Sequence, residues 1–183
     1  MQYSAQHSVE VLIARCHQGD RQAYHQLYKL YSRAMYNVSY GIVNNADEAK
    51  DVLQDAFISA FNSLETFRGD AAFGAWLKRI VVNKAINLVR RRRFERFPEN
   101  DGYDVMEEVA IDELEGFPFT VEKVMKAIEQ LPEGYRVVLS LYLLEGYDHS
   151  EIGEILGITE STSKSQFNRS KKKLKEILEG GII

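Results

Sequence analysis

Apolar residues recur every three or four positions along most of the chain, and this spacing predicts amphipathic α-helices and an all-α fold. A short first helix is expected over residues 8–18, and Gly19 ends it. Asp20 is placed to cap a longer second helix that continues to about Val43. That helix carries a stripe of one leucine and three tyrosines, a pattern more typical of a core than of a functional site: Tyr24, Leu27, Tyr28 and Tyr31.

A third helix is predicted from Asp47, after a break at Asn44 and Asn45, to about Leu64. Its apolar side is expected to be buried: Ala49, Leu53, Ala56, Phe57, Ala60 and Leu64. Its opposite side places acids and amides around one isoleucine: Asp51, Gln54, Asp55, Ile58 and Asn62. An apolar centre with a polar rim is typical of a protein-binding surface. A lone exposed isoleucine is also common on ordinary surfaces, so both interpretations stay open.

Residues 67–93 combine an aromatic loop, a long helical pattern and a run of four arginines. One side of this helix is predicted to be core: Leu77, Val81, Ala85 and Leu88. The other side is polar and holds the only tryptophan: Trp76, Arg79, Asn83, Asn87 and Arg90. Amides and guanidinium groups can hydrogen-bond base edges, cations hold phosphates, and aromatic rings stack on unpaired bases. The pattern therefore predicts a nucleic-acid surface that also contacts single strands.

The same residues allow a purely structural interpretation. Phe67, Phe73 and Trp76 would form a small hydrophobic cluster that anchors the start of the helix. Residues 90–93 would be a solvated basic run, favoured by the helix dipole near its C-terminal end.

After residue 93 the helical pattern decays into an acidic stretch, which predicts a linker over residues 98–119 between domains at 1–97 and 120–183. The second domain begins with an apolar stripe: Val121, Val124, Met125 and Ile128. Pro132 starts the next helix, and Gly146 ends it. The core residues predicted for that helix are Val137, Val138, Leu141, Tyr142 and Leu144.

The end of the chain has a helix-turn-helix pattern. Asp148 and Glu151 form a capping box for a short helix over residues 150–156, Gly157 makes the turn, and Thr159 can cap the last helix. Its inward residues are Phe167, Leu174, Ile177 and Leu178. The candidate DNA contacts lie in its first turns and along its basic side: Ser161, Thr162, Lys164, Ser165, Gln166, Asn168, Arg169 and Lys172. An antiparallel helix pair with a basic surface is the alternative, but the small outward side chains favour close approach to a major groove.

The net charge of −4 hides two basic surfaces and one acidic segment. Residues 78–96 carry eight Lys or Arg and one Glu, and residues 160–175 carry six Lys or Arg and one Glu. Residues 99–122, in contrast, carry nine acidic residues and no basic one. Basic patches of this kind suit nucleic acid. No histidine or fixed spacing turns the acids into a catalytic or metal site, and a single cysteine excludes an internal disulfide. We therefore expect a protein that is not an enzyme and has no metal or cofactor.

No apolar run approaches the roughly 20 residues that span a bilayer, and the N-terminus has no export signal. These observations predict a cytoplasmic protein with no membrane insertion.

Several linked motifs carry a family resemblance: DVLQDAF at 51–57, FRGD at 67–70, FGAWL at 73–77, RI…N…AI…L…R over 79–90, LPEGYR at 131–136 and EIGEILGI at 151–158. Over residues 8–178 the chain resembles the extracytoplasmic-function group of bacterial sigma-70-type initiation factors. The resemblance implies an alternative sigma factor that binds core RNA polymerase, recognises the −10 and −35 promoter elements and promotes strand opening. A stand-alone helix-turn-helix regulator is the alternative function.

The resemblance also implies a role for each surface. The residues implied to bind core polymerase, at a coiled coil of its β′ subunit, are Asp51, Gln54, Asp55 and Ile58. An unstacked base of the non-template strand would be captured by Phe67, Arg68, Phe73 and Trp76. The −10 element would be read by Arg79, Asn83, Lys84, Asn87, Arg90 and Arg91. The helix after Gly157 would read the −35 element, its domain would also contact the β flap, and an anti-sigma factor is a possible further partner.

Three positions depart from the family pattern. Ser163 stands where valine is common, and Phe167 is expected to supply the lost volume. Gln166 stands where arginine is usual, and it is still expected to be able to contact a base or phosphate. Both changes weaken the transfer of known promoter sequences to this chain. Gly153 stands where alanine is usual and is expected to cost the short helix up to about 1 kcal/mol without further consequence.

Overall fold

The computed structural model describes residues 2–96 and 119–180, with the backbone alone described at 2–7 and 93–96. All regular structure in these residues is helical, which confirms the all-α prediction. The chain divides into two compact units, Met1–Arg92 and Arg93–Ile183. The acidic linker predicted at 98–119 lies almost wholly outside the described residues, so its boundaries stay a prediction. None of the described helices is long and apolar enough to cross a membrane.

Four helices and one 3₁₀ turn make up the described part of the first unit: α1 Gln2–His17, α2 Arg21–Val43, α3 Ala46–Asn62, the turn Leu64–Thr66, and α4 Phe73–Arg96, whose last four residues lie beyond the unit boundary at Arg92. α1 begins six residues before the predicted position, whereas α2 has the predicted bounds. Asp20 caps α2 by accepting the Gln22 N–H at 2.8 Å. Asn44 takes a left-handed conformation that ends α2, and the Asn45 side chain caps α3. The sequence placed both breaks correctly because each needs a residue that tolerates a non-helical backbone.

The core of the first unit is built from the predicted stripes of α3 and α4. Six residues of α3 are buried. Of the stripe predicted for α4, Leu77, Val81 and Ala85 are buried, whereas Leu88 is only half-buried. Val82 and Ile86, which were not predicted, are buried as well. The tyrosine stripe of α2 contributes less than expected. Leu27 is fully buried, but Tyr28 is 40% exposed and lies over the edge of the core against Phe57 at 4.8 Å between ring centroids.

Four α-helices and one π-helical turn make up the described part of the second unit: α5 Val121–Glu129, α6 Glu133–Leu139, the π turn Ser140–Leu144, α7 His149–Leu156 and α8 Glu160–Gly180. Both members of the predicted capping box are in place at the start of α7. Gly157 takes the left-handed conformation (φ 69°) that the turn requires. The Thr159 hydroxyl caps α8 by accepting the Thr162 N–H at 3.0 Å. The helix-turn-helix is therefore confirmed.

The π turn overturns part of the predicted core. Tyr142 is 37% exposed and Leu144 is 44% exposed, although both were expected inside. Their register changes because the chain closes a wider turn here, with the Glu145 N–H bonded to the Ser140 carbonyl five residues back. The stripe of α5 is also shorter than predicted, since Val121 is 80% and Met125 is 40% exposed while Ile128 is buried.

Gly153 proves to be a packing requirement. A Cβ at this position would lie 2.9 Å from the Ile158 carbonyl oxygen, on the backbone that follows the turn. The Ile158 N–H in turn donates to the Gly153 carbonyl at 3.0 Å. The glycine therefore lets the turn fold tightly back on α7, which corrects the expectation that it has no consequence.

We predict that Gly153→Ala destabilises the second unit by about 1–3 kcal/mol, because the backbone clash outweighs the helix propensity that alanine adds. Gly134→Ala is the matched control. A Cβ at Gly134 would meet only the Gln166 Oε1 at 3.9 Å, so alanine there should be neutral or stabilise by up to about 1 kcal/mol. Urea unfolding followed by circular dichroism measures both, and Trp76 fluorescence reports the first unit separately. A stabilising effect at Gly153 would contradict this account.

Candidate nucleic-acid and partner interfaces

The solvent side of α4 presents the predicted polar stripe. Its exposed members repeat at helical spacing: Arg79, Asn83, Asn87 and Arg90. Arg91 is exposed beside them and Lys84 is half-exposed at the flank. Eleven residues of helix separate the ends of the row, a length of about 16 Å at 1.5 Å per residue. That length matches about five base pairs at 3.4 Å each, so the row is long enough to follow a short promoter element.

An aromatic corner (Phe67, Phe73 and Trp76) lies where the loop after α3 enters α4. The ring centroids are 5.5 Å apart for Phe67 and Phe73, 5.3 Å for Phe67 and Trp76, and 5.6 Å for Phe73 and Trp76. Arg68 is exposed within the same loop. The structure thus brings together all four residues predicted for base capture.

Phe73 differs from the other two rings of the corner because it is only 3% exposed. Its ring contacts Tyr31 of α2 at 5.3 Å, and burial raises the pKa of that tyrosine. Gly74 permits this close packing, since a Cβ there would lie 2.9 Å from Tyr31 Cε1. The structural interpretation therefore applies to Phe73, which has no free face for a base in this conformation. Phe67 and Trp76 are half-exposed, so part of each ring lies in solvent.

The predicted protein-binding face of α3 lies in solvent. Asp51, Gln54 and Asp55 are exposed, and Ile58 is 51% exposed beside them. Their spacing of three and four residues places them along one side of the helix, opposite the buried stripe. The arrangement has an apolar centre and a polar, acidic rim.

Arg92 has a structural role that the sequence did not indicate. It belongs to the basic run at 90–93, yet its side chain is only 17% exposed. One Nη donates to the Val43 carbonyl at 3.1 Å, and the other pairs with the Glu48 carboxylate. Val43 ends α2 and Glu48 lies in the first turn of α3. Arg92 therefore binds α4 to the end of α2 and to the start of α3.

The solvent side of α8 presents the predicted basic and small residues. Ser161, Lys164 and Lys172 are exposed, and the other five are half-exposed: Thr162, Ser165, Gln166, Asn168 and Arg169. Thr162 also takes part in the helix cap, with its hydroxyl 2.8 Å from that of Thr159. Lys164 pairs with Glu160 at 2.6 Å, a contact that raises the pKa of the lysine. Because exposed ion pairs are weak, this lysine can exchange its partner for a phosphate.

Behind this surface lies a cluster that sequence reasoning missed (Tyr142, His149, Ser163 and Phe167). The Ser163 side chain is fully buried, and its Oγ is 3.0 Å from His149 Nδ1. The expectation that Phe167 alone compensates for Ser163 is therefore incomplete. A serine at a position that should be apolar was the available signal, because a buried hydroxyl needs a partner.

Comparison with protein families matches both units. Residues 27–95 match the family model Sigma-70 region 2, and residues 122–174 match the model Sigma-70, region 4. The first match covers α3, the aromatic corner and most of α4. The second covers α7, the turn after it and α8 as far as residue 174.

Similar proteins extend the match over most of the chain. The ECF RNA polymerase sigma factor SigM of Mycobacterium tuberculosis is 32% identical over 161 residues, which are 87% of this chain and 79% of SigM. The RNA polymerase sigma-H factor of Pseudomonas aeruginosa is 32% identical over 180 residues, which are 92% of each chain. A solved structure of the sigma factor RpoE with the anti-sigma factor NepR, from Bartonella quintana, has a TM-score of 0.56 at 23% identity and covers 86% of this chain and 98% of that one.

We predict that Arg92→Ala destabilises the first unit by about 1–3 kcal/mol, because it leaves a half-buried carboxylate and a carbonyl without their partner. Arg91→Ala, one position away and exposed, should change stability by no more than about 0.5 kcal/mol. Urea unfolding followed by Trp76 fluorescence, in the absence of DNA, measures both variants. Equal losses in the two variants would reject the structural role of Arg92.

Proposed function

The chain belongs to the extracytoplasmic-function group of sigma-70 factors, and we propose that its exposed helix faces carry out core polymerase binding, −10 recognition with base capture, and −35 recognition. It is an alternative sigma factor for transcription initiation. The observation that supports this division of labour is that the residue sets predicted to contact core polymerase, the −10 element and the −35 element lie on the solvent sides of α3, α4 and α8, helices whose other sides are buried.

Core RNA polymerase is the partner proposed for the exposed face of α3. Its acids favour a basic patch on the β′ coiled coil, and charge complementarity of this kind accelerates association. Ile58 supplies the apolar centre, where truncation costs most in protein interfaces. The β flap is proposed as the contact of the second unit.

The −10 element is the proposed ligand of α4 and the aromatic corner. Unstacking a base costs a few kcal/mol, and one base–aromatic stack returns about 1–3 kcal/mol. Stacking is available only after the base leaves the duplex, so it stabilises the open state relative to the closed one. Because one stack does not cover the full cost, the amides and guanidinium groups along α4 must add contacts to the separated strand.

The −35 element is the proposed ligand of α8. The first turns of a recognition helix approach base edges, and Ser161 and Ser165 are small enough to let the helix backbone come close. Lys164, Arg169 and Lys172 would hold phosphates on either side.

The role proposed for this chain is binding alone, with polymerase supplying the catalysis. It would act in the cytoplasm, where bacterial polymerase meets the chromosome. The Bartonella quintana protein was solved with an anti-sigma factor, and such a partner for this chain stays a prediction.

Transcription in vitro tests the proposal. Core polymerase with this chain should start at selected sites in a pool of random templates, whereas a stand-alone regulator would bind DNA without polymerase. Trp76→Ala should lower the open-complex equilibrium constant by about 5–150-fold, the equivalent of the roughly 1–3 kcal/mol of one stack.

Closed-complex affinity should stay unchanged in Trp76→Ala, because the ring meets no base in the duplex. Trp76→Phe keeps a stacking face and is the control. Open complexes are counted by the fluorescence of 2-aminopurine placed in the −10 element. Wild-type opening by a folded Trp76→Ala protein would reject base capture.

Core binding gives a second test. Ile58→Ala should weaken the complex by at least about 1 kcal/mol through faster dissociation. The double change Asp51→Asn and Asp55→Asn should mainly slow association and reduce its salt dependence. Glu65→Gln removes an exposed acid outside this face and should leave both rates unchanged. Unchanged kinetics on immobilised core enzyme in all variants would reject the α3 interface.

A further inference from the structure

Ser163 is a buried polar group on the inner side of α8. Its side chain has no solvent exposure, and its backbone N–H is already used in the helix, donating to the Thr159 carbonyl at 3.0 Å. The hydroxyl lies 3.0 Å from His149 Nδ1. A buried hydroxyl that loses its hydrogen-bond partner destabilises the fold, so this contact restricts the orientation in which α8 can pack.

His149 is itself held in place by two rings. Its imidazole stacks on Tyr142 at 4.5 Å between centroids and 16° between planes. The edge of Phe167 lies 5.5 Å away at 61°, and the Tyr142 and Phe167 rings are 4.4 Å apart. Three segments meet here, because Tyr142 lies in the π turn, His149 begins α7, and Ser163 and Phe167 lie on α8. The cluster therefore ties α8 to both elements that precede it.

The charge state of His149 suits this contact. Burial and the nearby Lys164 and Lys171 lower the pKa of its imidazole, while Glu160 and Asp148 act in the opposite direction. The ring is therefore mainly neutral at pH 7. A hydroxyl both donates and accepts, so either neutral tautomer satisfies Ser163.

The orientation of α8 matters for base contacts. A rotation of about 20° moves atoms at the helix surface, about 5 Å from the axis, by almost 2 Å. Such a displacement breaks a hydrogen bond, whose useful range spans only about 0.5 Å. A rotation that carried Ser163 to water would therefore also move Ser165 and Asn168 away from base edges.

We propose that His149 is a positioning residue for promoter recognition: by hydrogen-bonding the buried Ser163 hydroxyl from between Tyr142 and Phe167, it fixes the rotation of α8 about its axis. This inference rests on the proposed role of α8 as the reader of the −35 element. His149 touches no DNA in this scheme and acts through Ser163.

The test uses the full chain with core polymerase and compares three variants with the wild type. His149→Phe keeps an aromatic ring and removes the hydrogen bond. Ser163→Ala removes the hydroxyl, and the third variant combines both changes. The measured quantity is the ratio of polymerase occupancy on a promoter with its −35 element intact to that on the same promoter with the element scrambled.

His149→Phe should lower this ratio by about tenfold or more, the size of one lost base contact. The double variant should have the same ratio as Ser163→Ala alone. Without the Ser163 hydroxyl, no buried polar group drives α8 to rotate toward water when His149 is replaced. A residue with a merely structural role would lower the stability of the second unit and reduce occupancy on both templates equally, with no change in the ratio.

The inference is overturned if His149→Phe keeps the wild-type ratio, or if the loss in the double variant equals the two single losses combined. Should His149→Phe fail to fold, the double variant is compared with Ser163→Ala: equal ratios support the inference, and a further drop overturns it. If the wild type itself does not distinguish the two templates, the role of α8 in −35 recognition fails. The positioning role of His149 fails separately, when the wild type distinguishes the two templates and the His149→Phe variant distinguishes them equally well.

Discussion

The burial of one side of α3, α4 and α8 is the constraint on which the proposed functional surfaces depend. A short polar stripe can present side chains at fixed spacing only if the helix beneath it cannot turn, and an apolar stripe in the core prevents that turning. In α4 the buried residues 81, 82, 85 and 86 hold Asn83 and Asn87 outward. In α3 Phe57 is buried, and Ile58 is the next residue, so it points away from the core and lies in solvent.

Polar groups inside the core fix the orientation of a helix more precisely than apolar burial does. Apolar packing tolerates small rotations because it has no preferred direction, whereas a hydrogen bond or ion pair has a direction and a short range. Arg92 bonds to both Val43 and Glu48, which fixes the C-terminal part of α4 on the α2–α3 junction. Ser39 of α2 donates to the Ala49 carbonyl of α3 at 3.2 Å, another directional contact between buried surfaces. In both cases the bond lies between helices, where it sets their relative placement.

The sequence was sufficient for features that depend on local spacing and on residues with special backbone behaviour. The helix breaks at Asn44 and Gly157, the capping box at Asp148 and the α3 stripe all follow from such local rules. It was insufficient where neighbours distant in sequence decide the outcome. The burial of Phe73 depends on Tyr31, and the exposure of Tyr142 depends on a π turn that a period of 3.6 residues does not anticipate. The requirement for glycine at position 153 comes from a carbonyl five residues away, which lies close only once the turn has formed.

The proposed roles of α4 and α8 give a free-energy reason for two DNA-binding helices in one chain. A single phosphate-rich contact surface binds DNA with little selectivity at physiological salt, and one aromatic stack returns less than the full cost of opening. When both helices are held on one polymerase, binding of the first makes binding of the second intramolecular, so two weak contacts act as one strong and selective contact. Free energy from the −35 contact can then hold the complex on the promoter while a base of the −10 element leaves the duplex. The base capture proposed for Phe67 and Trp76 therefore needs only to favour the open state of a promoter that is already bound.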